Sequence, residues 1–548
     1  MTTRTGIRAQ RSPWQGGRGA DPVEPEKNTG RRKVLIVNAV VLAITGIVMY
    51  QLFPRFTQNF VFDVVLRNGW YSVPFVALLW GAWRYYRAHV HGTSSAVRAR
   101  DHRRPLAVLA TLTVLYVLWA LFVYAGTDYL TYRTYAANFT ERKGLIPTAP
   151  ESVRFTPLLN ACTDIGNSVS STGEQVECKY VRPIVGEQNF GYAAPITPSG
   201  VFNVFTMQNP GFLYLDDSAS VAQDPRKRLA RLDDVQKVGP GMEWFDNLEY
   251  ALAKADFFAN YDTPHYLVLN PAQPRKLTLV APKIKYGYLW RLPYWGGVTL
   301  VHSDGTIENL NPTQALADKR LKDQWIFPES LARSYVALQN YRAGYGLLTP
   351  FVRVAGKLAI EPLPGDNQFP FVTRGADKKT YLVTATRGEG AAQGLFRMYY
   401  MNAWNGEGSF HQFDAHEVVY GAGASRERLT NIPGYQWYRG GEKSSGTIVA
   451  IEPVYIVRPN DNTLYWKYTI TNINYSGISA TAVANASRPD AIKVFAQRDD
   501  FEEWLRGSEV VPKGTLPAEL GAKEKILRII EEMGRQLDQL KRDAQSLR

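Results

Sequence analysis

Three stretches without a single charged side chain stand out in the first quarter of the chain: Val34–Phe53, Asn68–Trp83 and Pro105–Thr127. The last, PLAVLATLTVLYVLWALFVYAGT, holds twenty-three residues. At about 1.5 Å rise per residue it is long enough to cross a hydrocarbon core of about 30 Å. Beyond residue 128 the pattern changes to short apolar runs broken by Gly, Pro, Asn and Asp. Met242–Asn260 places Trp244, Leu248, Leu252 and Phe257 at helical spacing. Tyr266–Val280 reads as strand, turn, strand, and Trp295–Glu308 as a hairpin around Ser303-Asp304-Gly305. Pro328–Arg342 is expected to be a helix opened by its proline. Strands are expected at Gly200–Met207, Leu358–Pro362, Thr380–Thr386, Leu395–Trp404, Thr447–Val457, Leu464–Ile473 and Ile478–Val483.

The resulting fold class is α+β: three N-terminal transmembrane helices, a large and mainly antiparallel extracytoplasmic region, and a C-terminal coiled-coil helix. The expected divisions are a disordered basic cytoplasmic tail (1–33), a membrane anchor (34–127) and a first α+β domain (128–280). A repeated hairpin-rich region (281–506), a Pro/Gly linker (507–521) and the terminal helix (522–548) complete it. In that last segment Ile526, Ile530, Met533, Leu537, Leu540, Ala544 and Leu547 step by four and three, a heptad seam suited to self-association or a partner helix.

Charge decides orientation. The net charge of +13 is carried mostly by residues 1–33 and 84–104, at +5 each, which leaves about +2 for 105–548. Basic residues flanking apolar segments mark the cytoplasmic side. This implies a multi-pass plasma-membrane protein with its N-terminus inside and residues 128–548 outside, in contact with the lipid bilayer. It argues against nucleic acid as a partner. The only cysteines, Cys162 and Cys178, fall in the exported part and are expected to form a disulfide.

The repeated helix, aromatic strand, polar turn and strand resembles PepSY-type modules, small extracytoplasmic α+β units. The residues carrying the resemblance are Gly297–Glu308 (GVTLVHSDGTIE), Arg397–Ser409 (RMYYMNAWNGEGS) and Glu452–Thr471 (EPVYIVRPNDNTLYWKYTIT). The resemblance implies a binding or inhibitory module and offers no catalytic residues to carry over; no cofactor is expected.

Two clusters are candidates for chemistry. His411, Asp414 and His416, with Glu417, could hold a divalent metal in a membrane-tethered hydrolase. Their spacing is poor for it: in a strand His411 and Asp414 face opposite sides, and in a helix His411 and His416 are misaligned. Aromatic residues at Tyr288, Trp290, Tyr294 and Trp295, and again at Trp437, form a candidate contact platform for a peptide, carbohydrate or protein ligand. Glycine-rich stretches at Gly388–Gly394 and Arg439–Ser444 lack the spacing of nucleotide-binding loops. The expectation is therefore an interaction or structural protein, with no catalytic residue assigned.

Overall fold

In the computed structural model the described residues are 28–62, 74–83, 103–169, 171–185, 190–200, 202–217, 229–270, 273, 276–287, 292–343, 357–363, 370–388, 394–414, 416–433, 435–438, 446–474 and 477–508. The basic tail before residue 28, the stretch Arg84–Arg100, the linker beyond 508 and the heptad seam lie outside them, as do Tyr288 and Trp290.

The chain divides into two compact units, residues 1–53 and 54–548. The first contributes the helix Asn28–Leu52. In the second, Ala110–Ala136 is the one described helix that is by itself long and apolar enough to cross a membrane, with a mean hydropathy of 1.7. Almost none of that window is buried; Val114, Leu118 and Phe122 are about half exposed. Where three spans were expected, the described residues show one such helix. Ile36–Leu52 meets the same standard only when counted with Pro54–Phe60, and the described part of Asn68–Trp83 is the ten-residue helix Pro74–Trp83.

After the long helix comes a series of four antiparallel meanders, each preceded by a helix. The first runs from helix Leu158–Asn167 through strands at Glu174–Gln175, Arg182–Val185, Phe190–Pro198, Gly211–Asp216 and Leu229–Leu232. The second runs from helix Leu248–Ala255 through Asn260–Tyr261, His265–Leu267, Thr278–Tyr286, Pro293–Val301 and Ile307–Leu310. The third follows helix Glu329–Ala337, and the fourth helix Ala422–Leu429. Among the described strands, neighbours in space are neighbours in sequence, with two kinds of exception: Glu174–Gln175, Asn260–Tyr261 and Leu358–Ile360 each pair with the strand after next, and the two-residue strand Thr140–Glu141 adds in parallel to the third sheet. The mixed α+β class with antiparallel sheets is thus observed. Repetition starts earlier than expected, at Leu158, and the boundary placed at 280 falls inside the strand Thr278–Tyr286.

The meanders stack because their central strands are apolar on both faces. In Thr380–Gly388, Tyr381, Val383 and Ala385 enter a core shared with Tyr455, Trp466 and Tyr468 of the fourth sheet. Leu382, pointing the other way, joins a core with Leu331 and Tyr335 of the third helix and Tyr192 and Leu213 of the first sheet. Phe190–Pro198 is buried at every position. Each large side chain so buried contributes about 1.5–3 kcal/mol.

A buried polar joint ties the first meander to the fourth. The strand Ile448–Val457 bulges between Ile451 and Val454, and Glu452 there has φ +49°. Its carboxylate meets the Arg154 guanidinium and accepts the Leu158 backbone N–H at 2.5 Å, closing the start of helix Leu158–Asn167. Nearby, the fully buried Asp217 accepts from the N–H groups of Phe155 and Thr156 at 2.9 and 3.0 Å. Lys467 donates to the Phe155 carbonyl and to Thr469 at 3.1 Å each, and burial lowers its pKa to about 8.

One local expectation is overturned. Gly200–Met207 is not a strand: Asn203–Thr206 forms a single helical turn, with the Asn203 side chain donating to the Ser199 carbonyl at 2.6 Å. A side-chain bond of this kind offers the backbone an alternative to a ladder.

Candidate functional site: a cleft between the first two meanders

Two prolines open the site. Pro195 and Pro282 each sit inside the second strand of a meander, opposite Phe212 and Val298. Proline has no N–H to give to a ladder, and a central strand normally excludes it. The Pro282 carbonyl faces the first strand and accepts from the Asp262 N–H at 2.9 Å, while the ring nitrogen beside it donates nothing. Across from both prolines the first strand is accordingly broken in two, between Gln175 and Arg182 and between Tyr261 and His265. Each meander also carries a glycine next to the residue facing its proline. Gly211 (φ +151°) and Gly297 (φ +96°) let the fourth strand approach so closely that a Cβ would stand 2.1 Å from the carbonyl oxygens of Leu232 and Leu310.

The two breaks are walls of one cleft of about 680 Å³. The first contributes Glu177, Lys179, Tyr180 and Arg182, and the second Tyr261, Asp262 and Pro264. Met242, Leu248, Leu252 and Leu279 make an apolar floor. The short helix Pro54–Phe60 adds Arg55. That helix is clamped to the second meander by Gln58, whose side-chain amide donates to the carbonyls of Phe257 and Ala259 at 3.0 and 2.9 Å.

Most of the charges in the cleft are already engaged. Arg55 pairs with Glu249, and Lys179 with Glu177. Asp262 accepts the N–H groups of Thr263 and Ser330 at 2.9 and 2.8 Å, the second at the start of helix Glu329–Ala337. Arg182 differs. Its Nη1 donates to the Val181 carbonyl at 2.9 Å, its Nε is buried without an acceptor, and no carboxylate lies within 4.0 Å of it among the described residues. Burial pushes its pKa below the ordinary arginine value, against the opposing influence of Glu329, Tyr266 and Asp262. Behind it, burial raises the Glu329 carboxyl to about 7, with Asp262 adding to the rise. Burial also holds His265 down to about 4; it stacks on Trp325 at 3.9 Å and shares a hydrogen bond of 2.7 Å with the Trp325 carbonyl. Tyr261 and Tyr266 are raised by burial and stay phenolic at neutral pH.

The disulfide serves this site. Cys162 and Cys178 are joined with Cα atoms 5.3 Å apart, which pins the wall segment Glu177–Tyr180 to helix Leu158–Asn167. The other sequence-derived candidates lie elsewhere. His411 is in strand Gly408–Gln412 with Nδ1 3.4 Å from the Arg142 carbonyl, and Asp414 accepts the His416 N–H at 3.2 Å. Among the described residues no three His, Cys, Asp or Glu side chains gather as a metal site, so His411, Asp414 and His416 are not brought together. Tyr294 stacks on Tyr135, Trp295 packs on Phe327, and Trp437 is buried beside Tyr435. Through its ring Tyr294 also joins the end of the long helix to the body.

Arg182, Asp262 and Glu329 were not foreseen. A signal for them was present in the paired strings AAPIT and VAPKI, each with a proline inside a run that otherwise reads as a buried strand. Comparison of the chain with family models, with curated proteins and with solved structures finds no match.

Proposed function

We propose that this chain is a membrane-held binding protein whose extracytoplasmic body presents the cleft between its first two meanders to a ligand. The observation that carries this reading is one continuous feature. The bare apolar helix Ala110–Ala136 runs directly into the body that contains the cleft. At its end Tyr129 and Tyr132 pack on Tyr341, Tyr135 stacks on Tyr335 at 6.1 Å, and the Ala136 carbonyl accepts from Gln339 at 2.6 Å. An uncovered apolar surface of that length is at home in lipid, and tyrosines suit the boundary between lipid and water. The disulfide supports an oxidising compartment for the body. The cleft volume falls within the range of small-molecule sites.

In the finer reading, Val34–Phe53 and Asn68–Trp83 also cross the bilayer, the N-terminus stays in the cytoplasm, and residues from 128 onward lie outside. The heptad seam of 522–548 would join copies or recruit a partner helix, multiplying weak contacts by effective concentration. A protease added to sealed cells tests this. The expected result is digestion of the body with survival of a fragment containing 34–127. A body cut only after lysis would overturn it.

A further inference from the structure

We infer that the cleft takes a single-chain anionic amphiphile drawn from the bilayer, its headgroup held by Arg182 and its hydrocarbon tail on the apolar floor. The inference rests on the cleft reading above and names its ligand class.

The first argument is charge. Every other cation in the cleft already has a carboxylate, Arg55 with Glu249 and Lys179 with Glu177. Arg182 alone has none within 4.0 Å among the described residues, and its buried Nε lacks an acceptor. A buried donor without a partner is costly, and a guanidinium presents a planar fork matched to carboxylate or phosphate. Asp262 is turned to the backbone N–H groups of Thr263 and Ser330 and stays beyond 4.0 Å of the guanidinium. An incoming anion would supply the missing acceptor.

The second argument is the apolar part of the lining. Val204, Pro240, Met242, Leu248, Leu252 and Leu279 offer no hydrogen-bonding side chain. A ligand that satisfies Arg182 and also fills this part must be polar at one end and apolar along its length. Free phosphate or a sugar would leave the floor against water.

The third argument is the rim. Phe56, Phe202, Phe245 and Phe258 are 63%, 82%, 59% and 63% exposed. Three lie beside lining residues in the sequence: Phe56 follows Arg55, Phe202 lies two residues before Val204, and Phe245 lies between Glu243 and Asn247; Phe258 lies between the two carbonyls bound by Gln58 of the helix that carries Arg55. Large aromatic side chains left exposed near a cleft suit a surface that meets an apolar phase. In the reading above, the same body is held to a bilayer by the apolar helix Ala110–Ala136. A bilayer is therefore the source of the ligand.

Photo-crosslinking tests the inference. The full chain is placed in phosphatidylcholine nanodiscs and exposed to a diazirine-bearing C16 carboxylate, or to the neutral alcohol of the same length. Adducts are mapped by peptide mass spectrometry. The expected adducts fall in 240–252 and 261–279, with the carboxylate exceeding the alcohol by about tenfold, as loss of one charge-assisted hydrogen bond implies. Arg182→Gln should abolish that preference, and Val204→Trp should block both probes by filling the cleft. Melting and disulfide formation in each variant establish that it has folded. Equal labelling by carboxylate and alcohol, or a preference unchanged in a folded Arg182→Gln, would overturn the inference. Displacement of the probe by inorganic phosphate alone would also overturn it, since the site would then need no tail. Any of these failures alongside a body still digested in sealed cells would remove the ligand class and leave the anchored body standing.

Discussion

The joint between the first and fourth meanders makes a prediction about Glu452→Gln. In the native chain the side chains of Arg154 and Glu452 are 9% and 6% exposed, and the guanidinium lies over the Phe190 ring at 5.3 Å. Burial alone would lower the Arg154 pKa, but Tyr192, Glu452 and Asp217 together hold it above its ordinary value. The substitution keeps the volume and one acceptor for the Leu158 N–H. It removes the carboxylate that, among the described residues, is the only one within 4.0 Å of Arg154, leaving the buried cation with the more distant Asp217 as countercharge. Breaking a buried pair in this way costs about 3–5 kcal/mol, and the retained acceptor places Gln near 3. Native-state hydrogen exchange is the assay, because the joint need not open with the rest of the body. Peptides covering 153–158 and 448–472 should exchange on the order of a hundredfold faster. The double variant Arg154→Met with Glu452→Met should be less destabilised than either single change, since two apolar groups leave no orphan charge. Unchanged exchange in Glu452→Gln, or a double variant that loses the full sum of the singles, would refute the reasoning.

Other predictions concern the cleft and the strands that form it. Gly297→Ala places a Cβ 2.1 Å from the Leu310 carbonyl at φ +96°, so it should destabilise by about 2 kcal/mol or more in urea unfolding, whereas Gly477→Ala, with nothing within 4 Å, should fall within about 0.5 kcal/mol of the native chain. The Glu329 proton leaves the unfolded chain near the ordinary carboxyl value of 4.5 but leaves the folded chain only near 7. The folded state therefore loses stability as pH rises across that window, and Glu329→Gln should flatten the slope. His265, held near 4, acts in the opposite sense, with stability lost as pH falls from 6.5 to 4. The difference between native and Glu329→Gln melts at pH 5 and pH 8 isolates the carboxyl. Cys178→Ser frees the wall Glu177–Tyr180, so adduct yield from the carboxylate probe should fall more than the melting temperature does.

What could be read in the chain depended on how local the determinant was. The hairpin at Ser303-Asp304-Gly305 was legible because the turn is specified by adjacent residues, and Gly305 does adopt φ +84°. The long apolar window was legible because length alone carries it. Helix Ala422–Leu429 was not, since AGASRERL has little apolar contrast and buries Ala422, Ser425 and Leu429 in a niche made by the fourth sheet. Phe190–Pro198 was missed because a strand buried on both faces shows no alternation, and its prolines speak against a strand. The cleft was hidden for a related reason. Arg182 and Asp262 are eighty residues apart and line one cleft only because two meanders with matching proline breaks lie side by side.

The most direct test of the account is hydrogen exchange of the full chain in nanodiscs, with and without a saturating C16 carboxylate. Protection is predicted at the two strand breaks, residues 174–182 and 258–266, with the fourth meander unchanged. No added protection at either break, or protection confined to another part of the body, would contradict the claim that this cleft is the binding site.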